Sequence, residues 1–203
     1  MGKLIVTEFM TLDGVAQAPG GPEEDTSGGF QHGGWQAPLG DAKSGAAIFE
    51  QAKTMDALLL GRRTYDIFAA YWPTTADSPF KELLNRVPKY VASKTLSEPL
   101  TWADSHLLGS DLAASITEVK QRHQAVHVIG SLNLLQSLLR LNLVDRLNLW
   151  QYPVLLGSGN RVFADGTVPA ALTLAESVIH PSGVLQLGYD ATGKEPEYGT
   201  VEE

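Results

Sequence analysis

Gly61-Arg62-Arg63-Thr64-Tyr65 follows the apolar run Ala57-Leu58-Leu59-Leu60 and opens a segment of helical character. A strand that runs into glycine, two cations and a hydroxyl at a helix start can hold a phosphate. The glycine lets the backbone turn closely, the unpaired N–H groups and positive dipole end attract an anion, and guanidiniums fork onto phosphate oxygens. Taken alone, the pentapeptide reads equally well as a surface turn with solvated arginines. A second junction of the same kind follows Val126-His127-Val128-Ile129, where Gly130-Ser131 leads into Leu132 to Leu141, a segment of helical periodicity. In an open α/β sheet ligands sit beyond the carboxyl ends of strands, so two such turns can converge on one extended ligand. Between them, the strand-like Lys89-Tyr90-Val91-Ala92 ends in Ser93-Lys94-Thr95. That trio of hydroxyl, ammonium and hydroxyl suits an additional phosphate, such as one on an adenosine ribose.

These local cations stand out against an acidic chain, whose net charge of −8 argues against general nucleic-acid or anionic-membrane binding. The absence of cysteine removes disulfides, thiolate metal sites and a cysteine nucleophile from consideration. The N-terminus enters a strand-like segment without signal-peptide architecture and no apolar run approaches about 18 residues, which predicts a cytoplasmic protein. At 203 residues and 43% apolar content, with no linker-like stretch, one domain over 1–191 is expected, followed by a polar tail over 192–203.

The elements that position the turns follow from periodicity. Lys3 to Phe9 reads as the first strand, and Thr11-Leu12-Asp13-Gly14 as a polar turn. An irregular, glycine-rich stretch then runs to about residue 40, a length that suggests a lid or insertion. A helix over 44–55 precedes the strand 57–60. Further helices are expected over 64–71, 80–85, about 112–123 behind Gly109-Ser110-Asp111, and 132–141, with strands at 89–92, 104–108, 126–129 and 145–151. This βαβ rhythm predicts parallel pairing. Ala171 to Ile179 and Val184 to Tyr189, around Pro181-Ser182-Gly183, predict a closing β-hairpin and therefore a mixed sheet.

Taken in order, Thr11-Leu12-Asp13-Gly14, Gly61-Arg62-Arg63-Thr64-Tyr65, Ser93-Lys94-Thr95, Val128-Ile129-Gly130-Ser131 and Pro153-Val154-Leu155-Leu156-Gly157-Ser158-Gly159 resemble the dihydrofolate reductase superfamily. The similar branch is the one named for the reductase domain of the bifunctional riboflavin-biosynthesis deaminase–reductase, and the resemblance covers roughly residues 3–190. It implies an α/β fold with a mixed, mostly parallel central sheet flanked by helices and a C-terminal antiparallel hairpin. It also implies NADPH bound across the strand ends and paired subunits. By resemblance, Gly61, Arg62, Arg63 and Thr64 face the cofactor's phosphates, and Ser93, Lys94 and Thr95 lie beside the adenosine 2′-phosphate. Gly130, Ser131, Leu132, Asn133 and Leu134 match the glycine pair and helix start that cradle the pyrophosphate and approach the nicotinamide. Ser131 stands where the family has its second glycine.

The implied chemistry is transfer of hydride from NADPH to a small heterocyclic, carbonyl or imine substrate, in the manner of 5-amino-6-(5-phosphoribosylamino)uracil reductase. The zinc-deaminase motifs of the bifunctional enzyme are absent from the chain, so a stand-alone reductase with another substrate is an equal expectation. A non-catalytic nucleotide-binding or sensory module on the same fold is the alternative. Asp13 is the candidate proton donor, although Asp before Gly also caps turns. Leu12, Gly14, Trp35, Gly157 and Gly159 are candidate substrate contacts, with His32 beside Trp35 in the glycine-rich loop. No metal site is expected, because His123 and His127 fall on a helix end and a strand start rather than on one helix face.

Trp150 and Tyr152 share a face of the strand around 147–155, opposite Leu147 and Leu149. Left wet, such aromatics would form an unusual apolar patch, so a two-fold homodimer through this strand is expected unless helices of the same chain cover it.

Overall fold

Short runs rich in Val, Leu and Ile, buried on both faces, form the central strands, and amphipathic segments between them supply the cover. The computed structural model describes residues 1–201; the last two residues of the polar tail expected over 192–203 lie outside the described residues. The strands are β1 (Lys3–Thr11), β2 (Ala57–Gly61), β3 (Lys89–Ala92), β4 (Ser105–Leu107), β5 (Ala125–Ile129), β6 (Arg146–Tyr152), β7 (Leu172–Ile179) and β8 (Leu185–Ala191). They make one sheet in the order β4-β3-β2-β5-β1-β6-β8-β7. Neighbours from β4 through β6 are parallel, whereas β8 runs antiparallel to both β6 and β7. The expected mixed sheet with a closing hairpin is therefore present.

The helices are α1 (Ala42–Ala52), α2 (Arg62–Tyr71), α3 (Pro79–Arg86), α4 (Leu112–Arg122) and α5 (Leu132–Arg140). Strand alternation divides the core between the two sheet faces. Leu59, Val126, Val128, Leu147 and Leu149 pack with Ile116 and Val119 of α4 and Leu134, Leu135 and Leu138 of α5. Leu58, Leu60 and Val91 pack on the other side with Tyr65 of α2 and Leu83 and Leu84 of α3. No helix among the described residues is long and apolar enough to cross a membrane.

The stretch after β1 departs from an open lid. Val15, Ala18, Phe30 and Trp35 are buried and form a third cluster with Trp150, Tyr152 and Val184. Gly159 makes this packing possible, since a Cβ there would stand 2.7 Å from the Phe30 ring and 2.8 Å from Val15. The same cluster corrects the expected interface. Trp150 is fully buried, donates from Nε1 to Gln51 of α1 at 3.0 Å and stacks on His180. Tyr152 is likewise buried and accepts at its hydroxyl from Gln36 at 2.6 Å. Helix α1 and the loop cover this face within one chain. Among the described residues, the edge strand β7 instead carries a group of exposed apolar side chains, Leu172, Leu174, Val178 and Ile179.

Candidate functional site

The carboxyl ends of β3, β2, β5 and β1 open side by side onto a cleft of about 890 Å³. With strands roughly 4.8 Å apart, the three spacings from β3 to β1 give it a floor about 14 Å long. Gly61, Arg62, Arg63 and Thr64 after β2, Ser93, Lys94 and Thr95 after β3, and Gly130, Ser131, Leu132, Asn133 and Leu134 after β5 all line it.

The helix starts around this cleft differ in their caps, with Leu112 of α4 and Phe80 of α3 also on its wall. Asp41, Ser78 and Asp111 cap α1, α3 and α4 by accepting backbone N–H bonds. Helices α2 and α5, which begin on the cleft, have no side-chain cap and no acid in the first turn. Their unpaired N–H groups and positive dipole ends are therefore left to an anion.

Ser131 fastens the two turns together. Gly130 and Ser131 both take left-handed backbone, with φ of 67° and 69°. The Ser131 Oγ accepts the Gly61 N–H at 2.9 Å. A Cβ on Gly61 would stand 3.4 Å from the Cβ atoms of Ser131 and Leu134, so glycine permits this close approach. The Gly61 amide is thereby spent on Ser131, which keeps its own hydroxyl hydrogen to donate. Arg62 lies 3.4 Å from Asp66, while Arg63 donates to Ser27 at 2.9 Å and to Asp25 at 3.2 Å, bracing the loop. Both guanidiniums remain more than half exposed, and ion pairs this wet are weak enough for a phosphate to displace. Ser93 accepts from the Thr95 and Leu96 amides and so fixes its turn, with Lys94 exposed beside it.

The residues expected to contact a substrate lie outside the lining of this cleft. Asp13, Leu12, Gly14, Trp35, Gly157 and Gly159 are not among the residues lining the cleft. Asp13 accepts from the Thr11 hydroxyl at 2.6 Å and from the Gly157 amide at 2.8 Å, and Arg161 donates to its carbonyl. The bond from Thr11, followed by those from Gly157 and Leu156, holds its carboxyl below the usual range. It clamps the turn as a carboxylate, which is the wrong state for a proton donor at neutral pH. Gly14 and Gly157 serve that same turn region through positive φ, and Leu12 points to solvent. Trp35 is buried, donating to the Gln17 carbonyl at 2.9 Å and meeting Tyr152 edge-on, while His32 packs edge-on against Phe30.

Sequence reasoning missed Glu8. On β1, Leu4, Val6 and Met10 point into the core beneath α4 and α5, and alternation puts Glu8 in the same row. Its side chain is 2% exposed, lines the cleft, and leaves Oε1 without a hydrogen-bond partner. Burial pushes its pKa up to about 8, so the carboxyl keeps its proton at neutral pH. The signal available was an acid interrupting an apolar alternation.

Comparison with known proteins agrees with this architecture. A Shewanella sp. PV-4 structure, of a proposed riboflavin biosynthesis protein, superposes with a TM-score of 0.73 at 21% identity, covering 94% of this chain and 99% of that one. A pyrimidine reductase-like protein from Corynebacterium diphtheriae superposes with a TM-score of 0.64 at 14% identity, covering 94% and 92%. At these identities the likeness is one of fold. The uncharacterized Bacillus subtilis (strain 168) protein YyaP is 26% identical over 144 residues, 68% of this chain and 76% of its own length. The model of the RibD C-terminal domain family matches residues 2–185, and the chain belongs to that family.

Proposed function

We propose that this protein is a cytoplasmic NADPH-dependent reductase of a small heterocyclic, carbonyl or imine compound, similar in chemistry to the aminouracil reductase of riboflavin biosynthesis. The observation that carries the reading is the shared cleft, in which two uncapped helix starts meet the Ser93-Lys94-Thr95 segment. Ser131, Thr64 and the amides opening α2 and α5 would hold the pyrophosphate, with Arg62 and Arg63 at its edge. Lys94, with the Ser93 and Thr95 hydroxyls, would take the 2′-phosphate. A bound dihydronicotinamide supplies hydride; the chain supplies position and a dry wall, which for this chemistry is most of the catalysis. At the β1 end the cleft includes Arg161, so a phosphorylated substrate would meet a guanidinium there.

Each charge-assisted bond to the 2′-phosphate is worth about 1.5–3 kcal/mol. Fluorescence titration is therefore expected to give NADPH at least about tenfold tighter binding than NADH, and Lys94→Ala should narrow the gap. Equal affinities would remove the assignment of residues 93–95. Oxidation of NADPH over a panel of pteridines, aminouracils and quinones completes the test, since binding without turnover is the signature of a nucleotide-binding module.

The homodimer implied by family resemblance is proposed to form through β7, whose exposed Leu174, Val178 and Ile179 make an apolar edge. Light scattering at micromolar concentration should give about twice 21.8 kDa. Leu174→Lys with Ile179→Lys should return the mass to that of one folded chain, whereas Trp150→Asp should unfold it. A wild-type mass near one chain would refute the dimer.

A further inference from the structure

The cleft has two chemically distinct ends. At β3 it offers Ser93, Lys94 and Thr95, and three strands away on β1 it offers Glu8. A dinucleotide whose 2′-phosphate lies at the first end and whose pyrophosphate lies across the β2 and β5 turns extends its reactive ring toward β1. Glu8 is the buried acid waiting there. Nothing in the packing calls for an acid at this position, because its row-mates Val6 and Met10 are apolar and its Oε1 is left without a partner. An uncompensated buried carboxyl is costly, and such costs persist where function requires them.

We propose that Glu8 is the catalytic acid of this cleft, giving its carboxyl proton to the substrate nitrogen or oxygen as hydride joins the neighbouring carbon. This inference rests on the NADPH reading above. The substrate carbon gains a C–H bond with the hydride's electron pair, and the π pair of its C=N or C=O bond moves to the heteroatom. That atom takes the proton from the Glu8 O–H. The substrate is reduced by two electrons, the dihydronicotinamide is oxidised to the pyridinium, and Glu8 remains as a carboxylate. Water reprotonates it after product leaves.

The charged groups lining the same cleft are Glu24 and Asp25 of the loop, Arg62 and Arg63 of α2, Lys94 after β3 and Arg161 after β6. Burial alone raises the Glu8 pKa, with no contribution from any of them. The stretch from Ile129 to Leu139, which ends β5 and forms most of α5, has no charged residue. The proton is therefore held by desolvation, and a positive charge brought beside it would release it.

That property gives a test that needs no substrate. NADP+ carries a pyridinium cation and NADPH a neutral ring, while the 2′-phosphate is common to both. Calorimetric titration at neutral pH, in buffers of different ionisation enthalpy, is expected to show NADP+ binding releasing about one proton more than NADPH binding. Glu8→Gln should abolish that difference while leaving NADPH affinity within about threefold. With any substrate that turns over, the same variant should lose about 100-fold or more in kcat. Equal proton release for the two cofactors, or a difference that survives in Glu8→Gln, overturns the role of Glu8 and leaves the cofactor reading standing. Failure of both cofactors to bind overturns the cofactor reading and the acid with it.

Discussion

Replacing Glu8 with glutamine should make the protein progressively more stable than wild type as pH rises, the difference growing by about 5 kcal/mol between about pH 4 and pH 9. The sign follows from which state holds the proton. Below the ordinary value of 4.5 the carboxyl is protonated whether the chain is folded or not, and it contributes no pH dependence. Above 4.5 the unfolded chain loses that proton while the folded one keeps it up to about 8, so wild-type stability falls throughout this window. At 1.36 kcal/mol per pH unit, the interval from 4.5 to about 8 amounts to about 5 kcal/mol, an upper figure because buried carboxylates recruit water. The introduced amide brings its own burial cost, but one that does not change with pH, and every other titrating group is common to both proteins. Urea unfolding of the pair across this range reads the slope directly. Parallel stability curves would mean that Glu8 is ionised in the folded protein, and would remove it as an acid.

The contrast between Glu8 and Asp13 shows where sequence reading succeeds and where it stops. That the three turns at 61–64, 93–95 and 130–134 lie at strand ends was legible because each is local. At the β2 and β5 turns an apolar run, a glycine and a helical period fall within about ten residues and the chain folds both as the period dictates, while Ser93-Lys94-Thr95 simply ends the short strand β3. The βαβ order and the closing hairpin were legible for the same reason. Asp13 was a reasonable candidate because the turn after the first strand does reach the strand ends. Whether an acid there faces the cleft or its own turn depends on Gly157 and Arg161, which lie well over a hundred residues away. Glu8 was legible only as a break in the alternation Leu4, Val6, Met10, and reading that break requires knowing that β1 is central and that α5 covers its row. The loop after β1 hid its packing because Val15, Ala18, Phe30 and Trp35 follow no period. Likewise, alternation placed Trp150 and Tyr152 on one face, but their cover comes from α1 and the loop, elements of much earlier sequence.

Ser131→Asp should separate stability from cofactor binding, leaving the first unchanged or improved and costing the second about 100-fold or more. Ser131 sits at a φ of 69°, a left-handed conformation that aspartate tolerates better than most residues. The Ser131 Oγ accepts the Gly61 N–H at 2.9 Å, and a carboxylate oxygen can accept that same bond. The new charge would also occupy the uncapped start of α5, where an anion interacts favourably with the helix dipole by about 0.3–1 kcal/mol. The fold therefore has no reason to object. A pyrophosphate brought to the same helix start does, because a carboxylate about 5 Å from one phosphate charge costs about 3 kcal/mol at an effective dielectric constant near 20. Ser131→Gly is the control. It relieves the left-handed backbone and gives up one hydrogen bond without adding charge, so NADPH affinity should stay within a fewfold of wild type. Thermal melts and NADPH titrations of the three proteins give the two readouts separately. Retained affinity in a stable Ser131→Asp protein would move the pyrophosphate away from the β5 turn, and with it the alignment that brings the reactive ring to Glu8.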